Sequence, residues 1–565
     1  MDFKHEIIAL LKPATKLSEE ELSPLVASPP DPKLGDYAFP CFKLGKNAKE
    51  EADKLKAKLK LPKFIEKVEV SGPYLNFFLS KTFLVEQTLS AIRQERKKYG
   101  AGTEKKSIVV EFCSPNTNKP LHLGHVRNMA LGDALSRILA FRGNKVHPVE
   151  IINDRGVHIC KSMLAYERWG NSQKPDKKTD HFVGDFYVLF ATKAKEDEHL
   201  EQEAQEILIK WEHGDKKVLA LWKKMNKWVV DGFRQTYTKF GVKFEKEYFE
   251  SDFYTKGKDI AYDGLEKGFF VKDETGAIVA PLDDFGLGKK VIVRGDGTAV
   301  YITQDLHLAE LRYQEFKCDQ QIYVVASEQN LHFKQLFKLM ELFQRPYAKN
   351  LYHLNYGLVN LPTGRMKSRE GTVVDADDIM EEMFGLAEKE IRARYTELSE
   401  AEIKKRAHDI GISALRFYML RVDAIKEMIF NPQESISFEG ETGPYVQYTH
   451  ARACSIIRKA AEKASAKISL KVDFSKLKEK EELAVVKLLY EFPEAVSKAA
   501  ELYKPHIITS HLLLLAQRFN EFYHAQQVIS DDKELMKARL LLVDGVRQVL
   551  ANGLGLLGIT ALEEM

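Results

Sequence analysis

Residues 107–154, SIVVEFCSPNTNKPLHLGHVRNMALGDALSRILAFRGNKVHPVEIIND, decide the fold of this chain. SIVVEF is a short β-branched run closed by a Ser-Pro-Asn loop, and it reads as a buried strand. HVRNMALGDALSRILAFRG carries apolar residues at helical spacing and ends on Gly143, where a C-terminal cap belongs. KVHPVEIIND is a second strand. Strand, helix, strand is a βαβ unit, the building element of a parallel nucleotide-binding sheet. Between strand and helix stand His122 and His125, with Gly124 between them. Three residues apart at a helix start, two imidazoles share a face and point where backbone N–H groups lack partners. Such a terminus attracts phosphate, and a glycine lets a ligand approach the backbone. A pair of surface histidines capping a helix is the alternative, and for H-x-G-H alone the two weigh evenly. The place after the first strand of a βαβ unit favours nucleotide binding.

The rest of the chain sets the bounds. Its 565 residues are long for one core and suggest three or four domains. With 30% charged and 44% hydrophobic residues the balance is ordinary for a globular protein, and a net charge of +3 gives no global basic field. Five scattered cysteines, without a C-x-x-C pair, argue against a disulfide framework and against a structural zinc site. The opening MDFKHEIIALL carries acids and lacks the plan of a signal peptide, and no apolar run approaches membrane-spanning length. A cytoplasmic protein is expected.

Four regions differ in pattern. Residues 1–105 mix a short helix, the loop SPPDPKLGDYAF and the alternating strand YLNFFLS. In the same region EADKLKAKLKLPK is basic, either a solvated helix face or a lining for nucleic acid. Residues 106–375 hold the βαβ unit, with a helix-rich insertion over about 160–280 that contains Trp169, Trp211, Trp222 and Trp228. The sheet pattern resumes only at KKVIVRGDGTAVYITQDLHLAEL and QIYVVASEQNLHFKQL, followed by the loop LPTGRMKSREGTVVDADDI. Residues 376–440 read as a helical connector and 441–565 as a helical domain, with the chain almost wholly helical after about residue 405. The fold class is therefore α/β: a Rossmann-type parallel sheet with a helical insertion, an N-terminal α+β domain and an all-α C-terminal domain.

GRMKSREGT, taken alone, is an ordinary charged loop with glycine flanks. Paired with the histidine motif, it resembles the second signature of class I aminoacyl-tRNA synthetases, in which two such segments close over ATP. The motifs EFCSPNTNKPLHLGHVRN, YITQDL, YVVASEQNLHFKQ, GRMKSREGTVV, ALRFYMLR, TGPYVQYTHARACSIIRK and GLGLLGITALEEM together resemble the arginyl-tRNA synthetase family, in order along essentially the whole chain. The resemblance implies an N-terminal domain at the tRNA elbow, a Rossmann catalytic domain and a helical anticodon-binding domain. It further implies ATP-dependent ligation of L-arginine to tRNA(Arg), with ATP and Mg²⁺ as a substrate complex and no tightly bound metal or organic cofactor. A monomer is expected.

The candidate residues follow. His122, Gly124 and His125 would hold the triphosphate region, with Met366, Lys367, Ser368 and Arg369 closing from the other side. Laid against the usual Lys-Met-Ser-Lys-Ser, the chain has Ser368 where the second lysine belongs. Lys119, three residues before His122, is the candidate replacement cation, with Lys367 and Arg369 as competitors. A guanidinium is planar and always charged, so a carboxylate fork holds it best. Asp305 can supply one, with Tyr301 on the same face if a helical turn begins there; spacing alone favours a helix N-cap. The resemblance places Tyr301, Asp305 and Gln329 around the arginine side chain, and Ser114, Asn116 and His125 at its α-amino and carboxylate end. Glu111, ending the first strand, is a further candidate acid, unless it faces water. Tyr74, Asn76 and Phe78 are either a half-buried strand or a platform for a base of the tRNA elbow. Tyr445 and Tyr448, spaced i, i+3, suit a helix core; the resemblance makes one of them an anticodon contact. Arg452, Arg458 and Lys459 would meet phosphates. The rivals are a cysteine-specific class I enzyme, which needs a zinc–thiolate pocket that scattered cysteines cannot build, and a non-catalytic tRNA-binding paralogue, which has no need of the histidines or Asp305.

Overall fold

The computed structural model describes residues 3–297, 300–360, 362, 374–464 and 467–565. At its centre lies a parallel five-stranded sheet in the order Leu351–Tyr356, Gln320–Ala326, Ser107–Glu111, Lys145–Ile152, Lys246–Phe249. The middle strand has neighbours on both sides and layers on both faces, so Ile108, Val109 and Val110 are all buried. That is why it reads as an unbroken apolar run. Helix Leu123–Phe141 covers one face so closely that a Cβ on Gly132 would stand 2.2 Å from Cγ of Phe112. From Ser107–Glu111 the chain builds outward on one side and, after Lys246–Phe249, returns to build on the other. The reversal falls between Ser107–Glu111 and Gln320–Ala326. Open parallel sheets bind ligands at such a point, outside the carboxyl ends of the strands.

Two expectations about the insertion need correction. The sheet does not wait until residue 289 to resume, because Lys246–Phe249 is already its edge strand. Only four residues long and carrying two charges, KEYF offers no apolar run to read. Lys289–Val293 belongs instead to a separate antiparallel sheet with Val271–Lys272 and Ile278–Pro281, around Ile278, Ala280, Leu282 and Ile292. YITQDLHLAEL is not strand at all but the start of helix Tyr301–Phe316. The helical part of the insertion runs through Val157–Trp169, Thr179–Lys193, His199–Glu212 and Lys216–Phe240. Trp222 of this part donates its indole N–H to the carbonyl of Asp154 at 2.6 Å, which fixes the insertion to the end of a sheet strand.

The N-terminal unit is a three-stranded antiparallel sheet, ordered Tyr37–Pro40, Tyr74–Leu79, Ile65–Ser71, packed with helix Phe3–Thr15 around Phe3, Ile7, Leu11, Phe39 and Phe77. The basic run forms helix Ala48–Lys58, which buries only Ala52 and Leu55 and pairs Lys54 with Glu50 and Glu51. Beyond the second signature the chain becomes helical at Ala376, with Ala376–Arg394 and Glu400–Leu420 packed together. The segment 421–442 interrupts the helices. It carries only the two-residue strand Met428–Ile429 and the short helix Pro432–Ser435 before the bundle Gly443–Ala464, Lys480–Glu501, His506–Ala525 and Lys533–Leu556.

Candidate active site

The loop leaving the central strand turns sharply. Cys113 and Ser114 both adopt left-handed backbone, with φ of 76° and 48°, which costs a non-glycine residue roughly 1–3 kcal/mol. Asn128, one turn inside the following helix, holds the corner. Its Oδ1 accepts from the Cys113 N–H at 2.5 Å, and its Nδ2 donates to the Val324 carbonyl at 2.7 Å and to the Tyr356 hydroxyl at 3.0 Å. One amide thus ties together the ends of three sheet strands at the reversal. Ser114 comes to lie beside Glu111, 3.4 Å from its Oε1, and Asn116 stands exposed at the crevice. Glu111 itself neither faces water nor stands free. Its other oxygen accepts from Nη1 of the buried Arg312 at 2.5 Å, an ion pair between strand and helix Tyr301–Phe316.

The two histidines build the N-terminus of helix Leu123–Phe141. His122 is the N-cap, and its Nδ1 accepts from the Gly124 N–H at 3.1 Å; Nδ1 of His125 accepts from the His122 N–H, also at 3.1 Å. Two free backbone N–H groups are therefore satisfied by the imidazoles, not left open for a ligand. The same bonds assign the proton of each neutral ring to Nε2, leaving two N–H donors on rings whose centroids are 4.0 Å apart. Burial, followed by the charge of Lys119, lowers the pKa of His122 to about 4. Burial, then His122 and Lys119, push that of His125 well down. At neutral pH the pair acts through hydrogen bonds, not charge. Gly124 is also explained differently: a Cβ there would meet the His122 ring at 2.8 Å, so the glycine makes room for the cap.

Met366, Lys367, Ser368 and Arg369 lie outside the described residues. The stretches flanking them are described, and the far one rests on the residues around the histidine motif. The Leu123 N–H donates to the Val374 carbonyl at 3.1 Å, and the Ala376 N–H donates to the Leu121 carbonyl at 2.9 Å. On the leading side, Val359–Asn360 pairs in parallel with Met428–Ile429.

Tyr301 and Asp305 do share one face of a helix, with Tyr301 72% exposed at its first turn. Asp305 accepts from Nε2 of His332 at 2.7 Å, three residues beyond Gln329, which ends the turn after strand Gln320–Ala326 and is exposed. A second acid, Glu250, stands nearby and carries no motif in the sequence. Glu250 is buried to 4% exposure, and burial pushes its pKa up to about 7; Arg155 works against the rise, while Asp154 and Asp305 add to it. Glu250 follows directly on the edge strand Lys246–Phe249, so missing that strand meant missing the residue. Arg155 is held off by an ion pair with Glu212 and by the Tyr254 ring, 4.1 Å away.

Elsewhere, Asp180, His181 and Asp377 converge closely enough to hold a cation, but the ammonium of Lys178 already lies 2.8 Å from Asp180 and 2.7 Å from Asp377. In the N-terminal unit Tyr74 is exposed and meets the exposed Phe42 edge-on at 5.9 Å, and Phe78 lies under Lys67 at 4.3 Å. Asn76, between them on the strand, is only 3% exposed, so the accessible side chains there are the aromatic ones. In the bundle, Tyr445 and Tyr448 are half-buried at the rim. Arg452 lies over Tyr448 at 4.8 Å and donates to Oδ1 of Asn520 at 2.6 Å, while the amide N–H of Asn520 donates to the Tyr445 hydroxyl at 2.9 Å. Arg458 is paired with Glu564, and Lys459 is exposed.

Family models match three stretches of the chain, and the catalytic one runs on through 376–432. Residues 1–79 match the N-terminal domain of arginyl-tRNA synthetase, 87–432 the catalytic domain of class I tRNA synthetases (R), and 446–565 the DALR anticodon-binding domain. An arginine–tRNA ligase from Treponema denticola is 42% identical over 569 residues, covering 97% of this chain and 96% of its own. One from Bacteroides thetaiotaomicron is 44% identical over 512 residues, covering 86% and 85%. The arginyl-tRNA synthetase of Thermus thermophilus superposes with a TM-score of 0.85 at 29% identity, covering 100% of both chains. With family models matched in order over most of its length and relatives of this similarity over nearly all of it, the chain belongs to the arginyl-tRNA synthetase family of class I aminoacyl-tRNA synthetases.

Proposed function

We propose that this arginine–tRNA ligase activates L-arginine with ATP in the crevice at the sheet reversal and transfers it to tRNA(Arg). The observation that carries this reading is the pair of acids, Asp305 and the buried Glu250, close enough to act on each other beside Tyr301, together with the histidine-capped helix that follows the central strand. The arginine guanidinium enters between the acids, with Tyr301 and Gln329 at its sides. Its carboxylate, oriented from the Ser114 and Asn116 loop, attacks the α-phosphorus of ATP and expels pyrophosphate. The Nε2–H donors of His122 and His125, beside Gly124, hold the phosphates together with Lys119 and the second signature of Met366, Lys367, Ser368 and Arg369. Glu111 serves by holding Arg312 and Ser114 in place. Mg²⁺ arrives with the nucleotide. A terminal ribose hydroxyl of the tRNA then attacks the carbonyl carbon of the adenylate, the acyl–phosphate bond breaks and AMP leaves; no covalent enzyme intermediate forms, and the protein contributes positioning and charge. Tyr74 and Phe78, with Asn76 behind them, face the tRNA elbow, and Tyr445, Tyr448 and Arg452 face the anticodon. Among the described residues no helix is long and apolar enough to cross a membrane; we place the protein in the cytoplasm, as a monomer.

The test is to charge a total tRNA pool with each of the twenty amino acids separately, using wild type and Asp305→Ala. Wild type should charge arginine alone. Asp305→Ala removes a partner of a buried guanidinium, a loss of about 3–5 kcal/mol, so its KM for arginine should rise by orders of magnitude with little change for ATP. An unchanged KM removes Asp305 from the pocket, and charging of another amino acid overturns the assignment.

A further inference from the structure

Two residues after His125, on the same helix, the side chain of Arg127 is fully buried. Its fork bridges two separate segments of chain. Nη1 donates to the carbonyls of Gly357 at 2.6 Å and Leu358 at 3.4 Å; Nη2 donates to those of Ala424 at 3.0 Å and Lys426 at 2.8 Å. Among the described residues no carboxylate pairs with it. Burial draws its pKa down to about 10, so it remains a cation at neutral pH. A buried cation held by carbonyl dipoles and, at 6.0 Å, by the Tyr356 ring, with no carboxylate, is a poor stabiliser, since an apolar side chain of similar volume avoids the desolvation altogether. Its arrangement calls for a reason other than stability.

The two segments supply one. The N–H of Gly357 donates to the Ala424 carbonyl, Met428 donates to Leu358, and Phe430 donates to Asn360, so 357–360 is zipped along 424–430. Gly357 has no room for a side chain: a Cβ would stand 2.6 Å from the Glu427 nitrogen and from the Lys426 carbonyl carbon. Asn360 leads straight into the second signature, whose far flank, Val374–Ala376, is bonded to Leu121 and Leu123. Residues 121–127 therefore hold the chain on both sides of the second signature, and at the leading side the hold is Arg127.

We propose that Arg127 is a positioning residue for ATP: its guanidinium fork clamps Gly357–Leu358 to Ala424–Lys426 and so sets where the second signature begins relative to the histidine pair. The proposal rests on the reading above that both signatures bind ATP. A fork is required because each terminal nitrogen serves a different segment, Nη1 the one and Nη2 the other; a lysine ammonium keeps the charge but cannot reach both.

Arg127→Lys, Arg127→Met and Gly357→Ala test it. The last forces the two segments apart without touching the guanidinium, and it decides the matter if Arg127→Met fails to fold. Pyrophosphate exchange in the presence of tRNA, normalised to titrated active sites, should lose kcat/KM for ATP on the order of 10²-fold in each variant, the scale of an ångström misplacement. The KM for arginine should stay within about twofold, since its pocket is untouched. Wild-type behaviour of Arg127→Lys would show that charge alone suffices and overturn the clamp. Lost thermal stability with unchanged ATP kinetics per active site would make Arg127 merely structural, and also overturn it. His122→Ala, measured alongside, separates the failures. An ATP effect there without one at Arg127 overturns the clamp alone, whereas no ATP effect in either overturns the site reading as well.

Discussion

Lys119 and Glu250 are the two charges whose work is easiest to measure. Charge developing on pyrophosphate needs a cation, and in a water-poor site one donor is worth about 3–4 kcal/mol. Lys119 bears on both imidazoles, which places its field at the helix start. Lys119→Ala should therefore lower kcat with little change in the KM for arginine, and Lys119→Arg should recover only part of the loss. Near-normal kcat in Lys119→Ala beside a large loss in Lys367→Ala would move the cation to the second signature. Glu250 makes a prediction in pH. Burial raises its pKa to about 7, so below that value it is mostly neutral and cannot hold a guanidinium ionically. Arginine keeps its charge throughout, so the KM for arginine should climb as pH falls below about 7 and level off above about 8, by roughly tenfold per unit at the steepest. Glu250→Gln should have a raised KM that no longer changes with pH. A wild-type KM that stays flat over this range would remove Glu250 from the pocket.

Elements were legible in proportion to how much of their burial is written locally. SIVVEF announces itself because both faces of the strand are covered, and the following helix because its apolar spacing and Gly143 agree. KEYF (246–249) is a sheet edge and shows neither sign. YITQDL opens with residues that favour strands, yet the helix there is set by packing against Phe270, Ile292 and Leu336, which no local pattern records. Asn128 and Arg127 were equally invisible as functional residues, because their acceptors are the Val324 carbonyl and those of residues 357–426, far along the chain. The histidine motif, by contrast, was legible in position but not in mechanism, since the capping bonds that fix its tautomers appear only in three dimensions. The contact between helix Leu123–Phe141 and its strand gives a further prediction. Gly132→Ala drives a Cβ into Phe112, and overpacking of this kind costs about 1–3 kcal/mol. Phe112 precedes the strained Cys113–Ser114 corner, so the KM for arginine should rise together with the loss in urea midpoint. Gly132→Ala with wild-type stability and KM would mean that the interface yields at no cost.

At the scale of the whole molecule, one side chain joins four parts. Arg416 of helix Glu400–Leu420 is fully buried; Nη1 donates to Asp133 of the signature helix at 2.6 Å and to the Leu557 carbonyl at 3.3 Å, and Nη2 donates to the Phe240 carbonyl at 2.8 Å. Catalytic helix, connector, insertion and bundle thus meet at a single guanidinium. Gly558, with φ of +70°, is shaped around it: a Cβ would stand 2.2 Å from Nη1. Asp133 keeps a second partner in Arg137, at 2.8 Å, but that residue is on its own helix and joins nothing. Arg416→Met should therefore leave a buried carboxylate underpaired and two carbonyls without donors, a cost of about 3–5 kcal/mol. The double variant Arg416→Met, Asp133→Leu removes both charges and should regain a large part of that stability, because the desolvation that the pair demands disappears with it. Stability alone would not show that the hub joins the domains. For that, denaturation should be followed by two probes, tryptophan fluorescence for the insertion, where all four tryptophans lie, and far-ultraviolet circular dichroism for the helices of the whole chain. In wild type the two transitions should coincide; in Arg416→Met they should part, since the segments no longer share a common anchor. Coincident transitions in the variant, or a loss below about 1 kcal/mol, would reduce Arg416 to one buried pair among several.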